Sequence, residues 1–235
     1  MEGIKKLEEL MQRADEAFTQ IKVFSKENNG PVSIKGKWSG LHCIGIGTDA
    51  AVFQFETFPL YAFKRFAEDK HEKYEMEIKV YSHLNNSAYF PTFYGAKNQY
   101  LILSYEPGVT LYECLVRGIH IPRGVIYDVE EARSFVRKQG LNPRDIHLKN
   151  IILHEGKAKL LDVSEYLKPD NDLRWESLRK GYEELYDLID GKEIPIWMIE
   201  TVKKWYDQYQ YTASFDIHEF LNKIKKIFKV DTGQR

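Results

Sequence analysis

Three side chains within one short stretch can do chemistry together: Asp145, Asn150 five residues later, and Asp162 twelve residues after that. They sit in Arg144-Asp145-Ile146-His147-Leu148-Lys149-Asn150 and Lys159-Leu160-Leu161-Asp162, beside two short apolar runs. Phosphoryl transfer needs this set: one carboxylate to orient an attacking hydroxyl, and an amide oxygen and a second carboxylate to hold Mg²⁺ on nucleotide phosphates. An Asp and an Asn at this spacing also arise by chance in charged loops. The pair therefore needs support from the elements that would position it.

Upstream, Lys35–Phe66 alternates short apolar runs with turn residues, which predicts strands over Trp38–Ile46, Ala51–Thr57 and Leu60–Phe66. Between the first two lies Gly45-Ile46-Gly47-Thr48-Asp49-Ala50-Ala51-Val52. Glycines there let backbone amides approach phosphate oxygens that a Cβ would hold away, although two glycines so spaced are also common in ordinary turns. No Gly-Lys-Ser/Thr follows, so this is not a Walker A loop. Lys64 ends Tyr61-Ala62-Phe63-Lys64 on the third predicted strand. Glu68–Leu84 reads as a helix, and further strands are predicted around Phe93 and over Gln99–Ser104.

Residues 2–24 place Ile4, Leu7, Leu10, Met11, Ala14, Phe18 and Ile21 at helical spacing, an amphipathic helix expected to pack on the adjoining domain. Asn28-Asn29-Gly30-Pro31 breaks it and reads as a linker. Glu106-Pro107-Gly108 is a second break. Three segments result: 1–30, the helix and linker; 31–106, a sheet with one helix; and 107–235, mainly helical. In the last, helices are expected over Leu111–Arg117, Val129–Gln139, Leu173–Ile189 and Ile196–Tyr206, with a short hairpin at Ile151–Leu153 and Lys159–Leu161. A final helix carries Phe220, Leu221, Ile224 and Phe228, with Asp216 and Glu219 at capping-box spacing.

At 235 residues and 43% hydrophobic composition the chain has material for a substantial core. Its net charge of −1 offers no electrostatic case for nucleic acid or membrane. Cys43 and Cys114, the only cysteines, have neither disulfide nor metal-ligand spacing, and no signal core or spanning run is present. A cytoplasmic protein is expected.

Taken in order, these motifs resemble the protein-kinase-like superfamily, and specifically a compact, atypical bacterial serine/threonine protein kinase. Arg-Asp-x-x-x-x-Asn is similar to the kinase catalytic loop, and Leu-Leu-Asp-Val-Ser to a degenerate Asp-Phe-Gly. The glycine segment matches the Gly-rich loop with Ala50 in place of its third glycine, and Tyr-Ala-Phe-Lys matches Val-Ala-Ile-Lys. The resemblance implies a bilobal α+β fold, with a small antiparallel lobe carrying one helix and a mainly helical lobe. It also implies ATP and Mg²⁺ as cofactors. Asp145, Lys64 and Glu77 would be catalytic, with Glu75 a competitor for the Lys64-pairing role. Asn150 and Asp162 would bind the metal. Ile44, Gly45, Gly47, Ala50, Val52, Ala62, Lys64, Leu103, Ser104, Tyr105, Glu106 and Ile152 would line the nucleotide, Leu103 as gatekeeper.

The departures from the pattern bear on the acceptor. Pro143 replaces the usual His, and His147 stands where serine/threonine kinases carry a phosphate-touching Lys. Lys149 could supply that cation, and His at this position also occurs in aminoglycoside- and choline-kinase-like enzymes. Ser164 replaces the Gly after Asp162, and no Ala-Pro-Glu occurs downstream. Three readings result: a serine/threonine protein kinase acting on a protein or on itself, a kinase of small hydroxylated molecules, and a nucleotide-binding pseudokinase that serves as an interaction module.

Overall fold

Alternation along three strands decides which side chains can meet. The computed structural model describes residues 2–209 and 217–231. It opens with α1 (Glu2–Gln20), followed by β1 (Lys22–Phe24), a 3₁₀ turn at Glu27–Asn29 and β2 (Ser33–Lys35). The predicted helix over 2–24 thus stops at Gln20. Val23 instead pairs with Ile34 in an antiparallel hairpin, and Asn28 takes the left-handed conformation (φ 65°) in the turn that was expected to be a linker.

Next come β3 (Leu41–Ile46), β4 (Ala50–Phe55), β5 (Tyr61–Phe66), α2 (His71–Leu84), β6 (Phe93–Lys97) and β7 (Tyr100–Ser104). The strands form one five-stranded antiparallel sheet in the order β3-β4-β5-β7-β6. Because successive strand residues point to opposite faces, Ala51, Phe53, Phe55, Phe63, Tyr100 and Ile102 all face one core, together with Leu10, Ala14, Ala17, Phe18 and Ile21 of α1 and its C-terminal edge. The intervening residues Val52, Ala62, Lys64, Leu101 and Leu103 point to the other face, with Val52 and Leu101 beside Lys64 and Leu103 beside Ala62.

Phe18 is central to the α1 packing. Its ring lies 5.6 Å from Phe53 and 5.2 Å from Tyr100. Asp15 fixes the helix register, accepting hydrogen bonds from Tyr100 Oη and Asn98 Nδ2 at 3.0 Å each and pairing with Lys97 at 2.6 Å. Phe18→Ala should therefore destabilise the protein by about 3–5 kcal/mol, the usual cost of emptying a buried aromatic site. Urea unfolding checks this. A loss below about 1 kcal/mol, under the range for such sites, would mean that α1 does not contribute to the core.

The chain continues through β8 (Val109–Thr110), α3 (Leu111–Val116), α4 (Gly124–Lys138), β9 (Ile151–His154), β10 (Lys157–Leu160), α5 (Arg174–Leu185), a 3₁₀ turn at Tyr186–Leu188, α6 (Ile196–Tyr209) and α7 (Ile217–Asp231). Thr110 and Glu113 form a reciprocal capping box that starts α3. The strands β10-β9-β8 make a small antiparallel sheet. The expected cap Asp216 lies outside the described residues.

This is an α+β fold whose chain divides into two compact units. One comprises Met1–Pro107, Ser134–Pro143 and Leu161–Pro169; the other comprises Gly108–Arg133, Arg144–Leu160 and Asp170–Arg235. Among the described residues no helix is long and apolar enough to cross a membrane.

Candidate active site

Lys64 leaves the sheet on the face opposite α1 and reaches two carboxylates within its own unit. Its Nζ donates to Glu77 Oε1 at 2.8 Å and Oε2 at 2.7 Å, and lies 3.4 Å from Asp162 Oδ2. Glu77 comes from the buried face of α2 and is fully buried, whereas Glu75 is exposed and lies 3.8 Å from His71. Asp162 keeps about a third of its side chain exposed and accepts the Ser164 backbone N–H at 2.9 Å through Oδ1.

One buried ammonium between two carboxylates sets unequal protonation. Burial raises Glu77 up to about 7, offset only in part by Lys64 and reinforced by the Asp162 charge. Burial also acts to raise Asp162, yet Lys64 and the Ser164 hydrogen bonds outweigh it and hold that group down to about 2. For Lys64, burial disfavours the charge, but Asp162 and Glu77 together hold its pKa above the ordinary lysine range.

The two carboxylates therefore affect stability in different pH windows. Asp162 contributes stability above about 3.8 that is lost as pH falls toward about 2. Glu77 binds its proton more tightly folded than unfolded, so its contribution falls as pH rises from about 4.5 to about 7. Urea midpoints of the nucleotide-free protein should drop across that upper window, and Glu77→Gln should flatten the drop. A wild-type curve as flat as the variant's would refute this assignment.

The glycine segment is a β-hairpin turn. Gly47 N–H donates to Ala50 O at 2.9 Å, Gly45 pairs with Val52, and a register shift falls between Cys43 and Gly45, leaving Ile44 exposed. At the end of β7, the amides of Ser104 and Tyr105 are already engaged by Thr92 O and Leu60 O at 2.9 Å each. Ser104 Oγ also donates to Glu106 at 2.5 Å. Any contact from this stretch to an adenine edge would use carbonyl oxygens or Glu106.

In the second unit, Asp145 sits in the left-handed region (φ 55°), a conformation uncommon outside glycine and held here by three partners. Its N–H donates to Asp172 Oδ2 at 2.7 Å, its carbonyl accepts from Asn150 Nδ2 at 3.1 Å, and its Oδ1 accepts from Arg174 at 2.5 Å. The Asn150 bond turns that residue's Oδ1 the other way. Ile152 is buried on β9, paired with Thr110 and Lys159.

Lys149, the residue that could supply the phosphate-touching cation, lies against α3 and α6. Its ammonium lies 4.4 Å over the Tyr112 ring and 3.9 Å from Glu200. The cation at Asp145 is Arg174, which the motifs of the sequence did not single out. A signal was present. Arg174 occupies the first turn of α5, where the helix dipole disfavours a positive charge, and such a placement points to acidic partners elsewhere.

Asp162 and Asn150 present hard oxygens, the donor type Mg²⁺ takes. No group of three or more His, Cys, Asp or Glu capable of holding a metal occurs among the described residues.

No family model matches the chain. Among curated proteins, it is 33% identical over 195 residues to "Putative serine/threonine-protein kinase YrzF" of Bacillus subtilis (strain 168), covering 80% of this chain and 91% of that one. The chain belongs to the protein-kinase-like superfamily. It is also 30% identical over 96 residues to Aurora/IPL1-related protein kinase 2 of Caenorhabditis elegans, spanning 37% of this chain and 32% of the relative. Solved structures of WbdD, one a co-crystal with the kinase inhibitor LY294002, align with TM-scores of 0.42 and 0.44 at 16% and 18% identity. These alignments cover 83% and 77% of this chain but 46% and 43% of the WbdD chains. This chain's departures from the family pattern include Ala50, Pro143, His147, Ser164 and the eleven residues Val163–Leu173 that separate Asp162 from α5.

Proposed function

We propose that this protein is an ATP- and Mg²⁺-dependent phosphotransferase that moves the γ-phosphoryl group to a serine or threonine hydroxyl of a protein, itself included. The observation that carries the reading is the Lys64–Glu77 pair at 2.7 Å with Asp162 3.4 Å from the same ammonium. A charged lysine fixed by a buried carboxylate is placed to neutralise nucleotide phosphates, and it is worth most where water is excluded. Val52, Ala62 and Leu103 share the Lys64 face and would pack on the adenine, with Ile152 supplying a further apolar surface.

Asp145 would orient the acceptor hydroxyl and take its proton. Asp162 and Asn150 would hold Mg²⁺, which when bound supplies charge neutralisation between the phosphates. The relative's name supports protein hydroxyls as acceptors. A second reading, a kinase of small hydroxylated molecules, is favoured by His147 and by the short Val163–Leu173 segment, too brief for a peptide platform. The intact polar set argues against the pseudokinase.

Two measurements test the reading. Label from γ-³²P-ATP should reach an acceptor with the wild type and not with Asp145→Ala. In calorimetry, Asp162→Asn should weaken Mg-nucleotide binding far more than binding of nucleotide without metal, and equal losses would remove Asp162 from the metal.

A further inference from the structure

The second unit contains a cavity of about 460 Å³ beside the loop that carries Asp145. Its walls include Leu115, Trp175, Leu178, Tyr182, Tyr206 and Ile224, contributed by α3, α5, α6 and α7. His147, Lys149 and Arg174 also line it. Arg174 is the residue that holds Asp145 Oδ1, so the cavity and the Asp145 carboxylate share a side chain.

Three features describe what it would hold. The volume lies within the roughly 300–1,000 Å³ typical of small-molecule sites. The wall hydroxyls are already engaged: Tyr182 Oη donates to Ile121 O at 2.9 Å, and Tyr186 Oη accepts the Ile121 N–H at 2.6 Å and donates to Asp190 at 2.8 Å. The interior therefore suits an apolar body, while the charged groups come from the Asp145 loop (Lys149), the α5 terminus (Arg174) and α6 (Glu200, Lys203, Asp207). Finally, Gly181 faces the cavity from within α5, a position where glycine is disfavoured. A Cβ there would meet only Leu221 Cδ2 at 3.9 Å, so the missing side chain leaves room.

We propose that this cavity binds the apolar body of a small amphipathic alcohol and presents its hydroxyl at Asp145 for phosphorylation. The proposal rests on phosphotransfer at this site and deepens the second reading, a kinase of small hydroxylated molecules, by naming its acceptor class. In the step, the alcohol oxygen forms a bond to the γ-phosphorus and the bridging bond to ADP breaks. ADP leaves with that electron pair, and the alcohol proton passes to Asp145 and on to solvent.

The probes are 6-phenylhexan-1-ol and its methyl ether, which has the same body but no transferable proton. Both should bind the wild-type protein, and only the alcohol should stimulate ADP release from Mg-ATP. Gly181→Leu, which fills the cavity, should weaken both probes at least tenfold while leaving Mg-ADP affinity unchanged. Gly181→Ala should keep probe affinity within about twofold and shows that a change of helix propensity is not the cause. The proposal is overturned if neither probe binds, if both bind Gly181→Leu as well as wild type, or if label passes to casein equally in both proteins and never to the alcohol. Failure of the phosphotransfer reading looks different: probe binding that depends on Gly181, with no affinity for Mg-ATP.

Discussion

Asp145→Ala is expected to reduce phosphoryl transfer by on the order of 10²-fold or more, the range for a positioned base, while ATP affinity stays nearly unchanged. The asymmetry follows from what each residue touches. Asp145 is held by Asn150, Asp172 and Arg174, and on the proposed reading its carboxylate would serve an acceptor hydroxyl rather than a phosphate anion it would repel. Lys64, bonded to Glu77 and facing Asp162, would act on the nucleotide. Lys64→Met should lower turnover and, more variably, nucleotide affinity. Steady-state transfer with titrated ATP, paired with direct nucleotide binding, separates the two. If Asp145→Ala weakens ATP binding as much as it slows transfer, Asp145 belongs to the nucleotide site. If wild type transfers phosphate to no protein, peptide or small-molecule pool, and partner binding survives Asp145→Ala, the protein is a binding module.

Arg174→Ala should also cost about 10²-fold in turnover, comparable to removing one preorganised donor from an active site. Arg174 closes an arrangement in which Asp172 holds the Asp145 amide and, through Oδ1, the Arg174 amide at 3.2 Å. Without the guanidinium, the Asp145 carboxylate loses the partner that fixes its rotamer, and its left-handed backbone is less constrained. Nucleotide affinity should not change. Guanidinium chloride at millimolar concentration should restore part of the lost rate to Arg174→Ala and none to Asp145→Ala, a rescue that general destabilisation would not produce. Arg174→Lys should recover less than wild type, because an ammonium lacks the planar fork. Unchanged turnover in Arg174→Ala would reduce the pair to a structural contact.

Much of this was legible in the residues, because it depends on neighbours along the chain. Two-residue alternation places Lys64 and Ala62 on one face of β5 and Phe63 on the other, and any strand through them does the same. The apolar spacing of α1 marks the face that meets the sheet, and the five-residue interval from Asp145 to Asn150 lets the Asn150 amide reach the Asp145 carbonyl.

Local pattern had no means of deciding pairings between distant elements. Glu75 and Glu77 have the same chemistry, but two residues on a helix turn the side chain about 200°, so only one can meet Lys64; the packing of α2 on the sheet selects Glu77. Val23 left the helical pattern because a strand at Ile34 was available to pair with it. Lys149 sits one position before Asn150 yet turns to Tyr112 and Glu200, while Arg174 reaches Asp145 from 29 positions away. Spacing along the chain therefore determined which groups this protein carries and on which faces. The packing of α2, α5 and the loop at Asp145 decided which cation meets which carboxylate, because an ion pair forms where side-chain reach and burial coincide, and both are set only once the elements have docked.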